Sequence, residues 1–210
     1  LLSSASAQTT ATTDPVGAMT VTLEAFEGTT KGTNVVSVPF LTSNPDVAGI
    51  KTGTVSDVGT ASITVSNAGW TPGALSDPED PHLVKIMTGL NEGLIIPIET
   101  SPQKQNSAET LYVDTSVGNL SFDLTTLGIQ TGVNGDVIQL FRAPTLLSVF
   151  GTPETTGIEG GTSFADADTV VILDSSWSTY FYHSSREEWV KSIFGFPNAD
   201  NLVLRPSSAV

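Results

Sequence analysis

Apolar and polar residues alternate with a period of two along short stretches of this chain, and turn residues separate the stretches. Ala18-Met19-Thr20-Val21-Thr22-Leu23-Glu24 alternates in this way and predicts a half-buried strand. Val35-Val36-Ser37-Val38-Pro39-Phe40-Leu41 predicts a second, held to an edge or bulge because Pro39 has no amide to donate. Residues 52–56 and 62–66 flank Asp57-Val58-Gly59-Thr60 and predict a hairpin, with Gly59 free to take a positive φ in the loop. Residues 83–87 and 94–98 predict another pair across Gly89-Leu90-Asn91-Glu92-Gly93. A short strand is expected at 111–113, and the turn Val133-Asn134-Gly135-Asp136 precedes one at 137–141.

The pattern changes at Ala143-Pro144. Thr145 has the side chain of a helix cap and is expected to start a helical turn through Leu146, Leu147, Val149 and Phe150. Residues 151–161, rich in Gly, Thr and Glu, predict a mobile loop, and strands follow at 169–173, 180–182 and 202–204. Tyr180, Phe181 and Tyr182 are consecutive, so they cannot all face one core, and another element must cover the second side of their strand. The expected fold is all-β. It comprises an antiparallel barrel-like or sandwich-like domain over residues 15–143, a smaller β unit over 144–210, and an extended N-terminal arm over 1–14.

Composition narrows the partners. Of the 210 residues only 14% are charged, against roughly 25% in an average soluble domain, so hydroxyl and amide groups carry much of the solvation. Asp and Glu number 22 against 8 Lys and Arg, a balance that repels nucleic acid and anionic membrane surfaces. The chain has no cysteine, which removes disulfides, thiolate catalysis and most structural zinc sites. No apolar run reaches the roughly 20 residues of a membrane span. Leu1-Leu2-Ser3-Ser4-Ala5-Ser6-Ala7-Gln8 reads as the tail of a secretory signal peptide, with Ala5-Ser6-Ala7 in the cleavage pattern, or else as a plain Ser/Ala-rich start. A secreted, extracellular or cell-surface location is the expectation.

Several segments together carry a resemblance. They are Asp14-Pro15-Val16-Gly17, Gly53-Thr54-Val55-Ser56, Ala68-Gly69-Trp70-Thr71, Thr88 to Gly93 with Ile95-Ile96-Pro97-Ile98, Tyr180-Phe181-Tyr182, Glu188-Trp189-Val190-Lys191 and Asn201 to Pro206. The chain resembles an uncharacterised family of secreted β-rich proteins that occurs as many paralogues in Verrucomicrobia and related bacteria. The resemblance implies an exported β-rich protein and supplies no catalytic residue. Similar proteins run on past the last proline with a further strand, whereas this chain stops at Val210. The resemblance therefore implies that another subunit completes the final sheet.

Candidate chemistry is sparse. Gly161-Thr162-Ser163-Phe164-Ala165 misses the nucleophile-elbow pattern, and no phosphate loop, dinucleotide fingerprint or H-E-x-x-H is present. The two histidines, His82 and His183, are read as strand-end residues. Asp77, Glu79 and Asp80 form the best metal candidate, since calcium takes clustered carboxylates, and Asp166 with Asp168 is a second. Trp70, Trp177, Tyr180, Tyr182 and Trp189 are candidates for packing, for a subunit interface or for a polysaccharide platform. No cofactor other than calcium is implied. The sequence thus points to a non-enzymatic structural protein, a homo-oligomer or polymer that assembles by arm or strand exchange into an extracellular filament or surface layer. The alternative is a monomeric adhesin or carbohydrate-binding module.

Overall fold

The computed structural model describes residues 42–43, 47–117, 120–173 and 176–205. The expected arm over 1–14 and the strands expected at 18–24 and 35–41 lie outside them. In chain order the strands are β1 (Thr42–Ser43), β2 (Thr52–Thr54), β3 (Asp57–Gly59), β4 (Ser62–Thr64), β5 (His82–Ile86), β6 (Ile95–Pro97), β7 (Thr110–Tyr112), β8 (Ser116–Val117), β9 (Leu120–Ser121), β10 (Val137–Arg142), β11 (Thr169–Leu173), β12 (Trp177–His183) and β13 (Glu188–Lys191). Two short helices, α1 (Leu146–Phe150) and α2 (Pro153–Thr156), separate β10 from β11. All the strand pairings are antiparallel, so the molecule is β-rich as its alternation predicts.

Strand β10 organises the first sheet. Its six residues pair with β5 on one side, while β1 and β2 lie end to end along the other, and β6 extends the sheet beyond β5. A second sheet has the order β3-β4-β7. Val84, Ile86, Ile138 and Leu140 of the first sheet share one core with Ile63 and Leu111 of the second. This is a sandwich. Among the described residues the sheets do not close into a barrel. The short strands β1 and β2 spend their pairing on β10, and the path ends at β6. The expected hairpin also shifts. Asp57–Gly59 is itself a strand paired with β4 around the two-residue turn Thr60-Ala61, and Thr52–Thr54 pairs with β10 instead. Two-residue connections are the commonest hairpin turns, and Val58 adds apolar surface against the core.

The opposite face of the first sheet is covered at one end. Leu83 of β5 and Phe141 of β10 point away from the sandwich core and meet Ala143 and Val203. From there the chain enters a second core. Thr145 caps α1 as expected: its Oγ1 accepts from Ser148 N at 3.2 Å, and its own N–H donates to Ser148 Oγ at 2.7 Å. Where a mobile loop was expected, Pro153–Thr156 forms α2, begun by the favourable first-turn proline and by the Thr152 N–H donating to Thr155 Oγ1 at 2.9 Å.

The third sheet has the order β11-β12-β13. Tyr180 and Tyr182 enter the second core with Leu146, Trp189 and Leu204, while Phe181 faces the other side against Ala167, Val190 and Phe196. Both faces of β12 are therefore covered, as its three consecutive aromatics require. The strand expected at 202–204 is instead a single bridge between Val203 and Thr145, fixed by Leu146 N donating to Leu202 O and Leu204 N to Pro144 O. The described residues all belong to one compact unit.

Candidate functional site

The third sheet has unlike edges. On the β13 side, Lys191 N donates to Pro197 O at 3.0 Å, Ala199 N donates to Trp189 O at 2.8 Å, and Val190 bridges Asn198. That edge is closed. On the other side β11 pairs with β12 alone among the described residues. Thr179, the partner of Val171 across β12, accepts from Ser192 N at 2.8 Å on the β13 side. A strand residue aims its N–H and C=O to the same side, and antiparallel pairs alternate between bonded and unbonded. Val171 therefore directs both main-chain groups away from the sheet, and Val170 and Ile172 bond inward.

The sequence Thr-Val-Val-Ile-Leu contains no charge and no proline, the devices that usually blunt an edge. Val171 is 38% exposed, and Trp177, at the start of the neighbouring strand, is 66% exposed. Together they extend the apolar surface of this edge.

The five aromatic residues singled out from the sequence do not share a surface. Trp70 lies in the sandwich core, with Nε1 donating to Ile50 O at 2.7 Å. Tyr180, Tyr182 and Trp189 lie in the second core, Trp189 donating through Nε1 to Gly151 O at 2.8 Å. Only Trp177 of the five stands in solvent.

The acidic loop is likewise dispersed. Asp77 Oδ1 accepts from Glu79 N, Glu79 Oε2 accepts from Asn201 Nδ2 at 2.9 Å, and Asp80 Oδ2 pairs with Arg142 at 3.3 Å. Asp166 accepts from Ser163 Oγ and Asp168 from Glu159 N. Among the described residues no three His, Asp or Glu side chains converge on one point.

His82 is fully buried on β5, beside Asp80 Oδ2 at 3.9 Å, and neither ring nitrogen has a hydrogen-bond partner among the described residues. Burial pushes the imidazole below its ordinary value of 6.5; the Asp80 carboxylate opposes this, and the Arg142 guanidinium reinforces it. His183 is also buried, stacked on Phe181 with ring centroids 6.0 Å apart and meeting Phe196 edge-on at 5.5 Å. Both histidines stand at strand ends as expected, His82 opening β5 and His183 closing β12, but both are buried rather than part-exposed.

A cleft of about 340 Å³ opens where the third sheet faces the loop before β5, the end of β6 and the C-terminal stretch. Ile172, Ser178 and Tyr180 line it from the sheet, and Pro78, Pro81 and Pro97 supply flat apolar faces. Its charged residues are Glu99, Asp114, Lys191 and Arg205. Asp114 and Arg205 are paired at 2.9 Å, and Glu99 accepts from Ser101 N. Lys191 makes no ion pair among the described residues. These residues are far apart in sequence and match no motif, so the cleft had no signal in the chain. The edge had one, the uncharged apolar run at 169–173, but its pairing was not readable.

No family model, no curated protein and no solved structure matches this chain.

Proposed function

We propose that this protein is a non-enzymatic structural subunit that self-associates through the edge of β11 that no described strand covers. The observation that carries the reading is an uncharged, proline-free strand whose Val171 aims its main-chain groups outward beside the exposed Trp177. Such an edge gains a row of hydrogen bonds whenever another strand is laid against it. A second copy offers that strand directly, because β11 can pair antiparallel with itself about a two-fold axis.

Edge-to-edge pairing alone closes a pair. Extension into a filament or surface layer needs a different second contact, and in this reading the polar, β-compatible segment 1–14 supplies it by arm exchange. The signal-like pattern over residues 1–8 supports placement outside the cell. Sedimentation velocity and electron microscopy of the full chain test the reading. Wild-type protein forms concentration-dependent oligomers, and Val171→Pro remains a folded monomer. Oligomers of the same size from Val171→Pro would refute the edge as the contact.

A further inference from the structure

We propose that the cleft between the third sheet and the β6 end is a binding site for a neutral oligosaccharide. Its volume of about 340 Å³ falls at the small end of the roughly 300–1,000 Å³ of ligand sites. The lining is rich in groups that both donate and accept: Thr100, Ser176, Ser178 and Asn201. Sugar hydroxyls need that two-way capacity, and the flat faces of Pro78, Pro81 and Pro97 suit the C–H surfaces of a sugar ring.

Charge selects against other ligands. The wall carries two carboxylates and two cations, Glu99 and Asp114 against Lys191 and Arg205, so the cleft has no net charge to offer an ion. Entry of a charged group would cost its hydration without a net counter-charge in return. The whole chain, at −14, adds repulsion for an anion. A neutral polyol escapes both costs. Lys191, with no ion pair among the described residues, brings ammonium donors to the lining, and Glu99 adds a carboxylate acceptor; hydrogen bonds between a charged side chain and a neutral hydroxyl are among the stronger ones. The cleft lies on the Ile172 face of β11, opposite the Val171 side chain, so the inference does not rest on self-association.

The experiment is a glycan array carrying neutral and uronic-acid oligosaccharides, probed with the full chain, then calorimetric titration with the best neutral probe. Neutral glycans bind. Lys191→Met and Ser178→Trp each weaken binding by roughly tenfold or more, as expected for losing a charged hydrogen bond or filling the cleft. Trp177→Ala and Val171→Pro leave the affinity unchanged, which separates this site from an exposed-aromatic platform and from the assembly edge. Lys191→Met removes only an ammonium at the cleft wall, so it keeps the test valid if Ser178→Trp fails to fold. Binding of none of the neutral glycans, binding of uronic-acid glycans only, or unchanged affinity in Lys191→Met overturns the proposal.

Discussion

Val171 and Thr179 face each other across β11 and β12 without exchanging hydrogen bonds, because Thr179 O accepts from Ser192 N at 2.8 Å on the far side. The consequence is local and asymmetric. Neighbouring residues of one five-residue strand differ in whether their amides hold the fold or face outward. Replacing Val171 by Pro removes an outward donor, and edge positions tolerate proline. Replacing Ile172 by Pro removes an inward bond to Ser178 and places a ring among buried side chains. Val171→Pro therefore keeps a cooperative thermal transition and loses self-association, whereas Ile172→Pro loses the folded third sheet, seen as lost near-ultraviolet circular dichroism.

The aromatic residues separate by role in the same way. Trp189 is about 1% exposed, meets Phe150 and Tyr182 with ring centroids 5.9 and 6.1 Å away, and donates to Gly151 O. Trp189→Ala is expected to cost about 3–5 kcal/mol, through the cavity and the orphaned carbonyl. Trp177→Ala is expected to change monomer stability by no more than about 0.5 kcal/mol, because the ring lies in solvent. Urea denaturation of the two variants, with equal slopes required for a valid comparison, checks the contrast.

Helix α1 depends on its cap. Thr145→Ala deletes the oxygen that accepts from Ser148 N, and the expected loss is about 1 kcal/mol in the same assay. Thr145→Ser retains the oxygen and recovers most of it.

Acid should weaken the fold through His82. Its pKa in the folded protein lies below 6.5, chiefly by burial, with Arg142 adding to the lowering and Asp80 and Asp77 opposing it. In the unfolded chain the imidazole takes up a proton near the ordinary value, before the folded protein does. The unfolded state thus binds more protons in that interval, and stability falls as pH drops through about 6.5 until the folded-state pKa is passed. His82→Leu removes this contribution, so its stability curve between pH 7 and 5 is flatter than the wild type's. Parallel curves would refute the assignment.

Salt should favour assembly. Copies that each carry −14 repel one another, and raising ionic strength from 0.01 M to 0.15 M shortens the screening length from about 30 to about 8 Å. Edge pairing uses uncharged residues, so the dissociation constant measured by sedimentation equilibrium falls with sodium chloride. Association driven by ion pairs would respond in the opposite direction.

The elements legible in the sequence are those that local chemistry decides. Apolar runs and alternation bounded by turn residues marked β5, β6, β7, β10 and β11 to within a residue or two, and Thr145 marked the start of α1. The three consecutive aromatics of β12 required two covered faces, and the structure provides them. Pairing was not legible, because it depends on which distant strand offers the longer partner. Thr52–Thr54 looks like half of a hairpin, yet β10 captures it. The acidic loop looks like a metal site in sequence. In the folded chain its carboxylates are drawn to Asn201 and Arg142, residues with no local signature. The cleft unites Glu99, Lys191 and Arg205 only because the C-terminal stretch returns across the first sheet.

The most direct test of the assembly reading is amide hydrogen exchange resolved at Val170 and Val171 over a range of protein concentrations. Val170, bonded within the sheet, is protected throughout. The Val171 amide is expected to exchange quickly in dilute protein and to become protected in step with oligomer formation. Fast exchange at Val171 in fully oligomeric protein would contradict it, because the copies would then be joined through another surface.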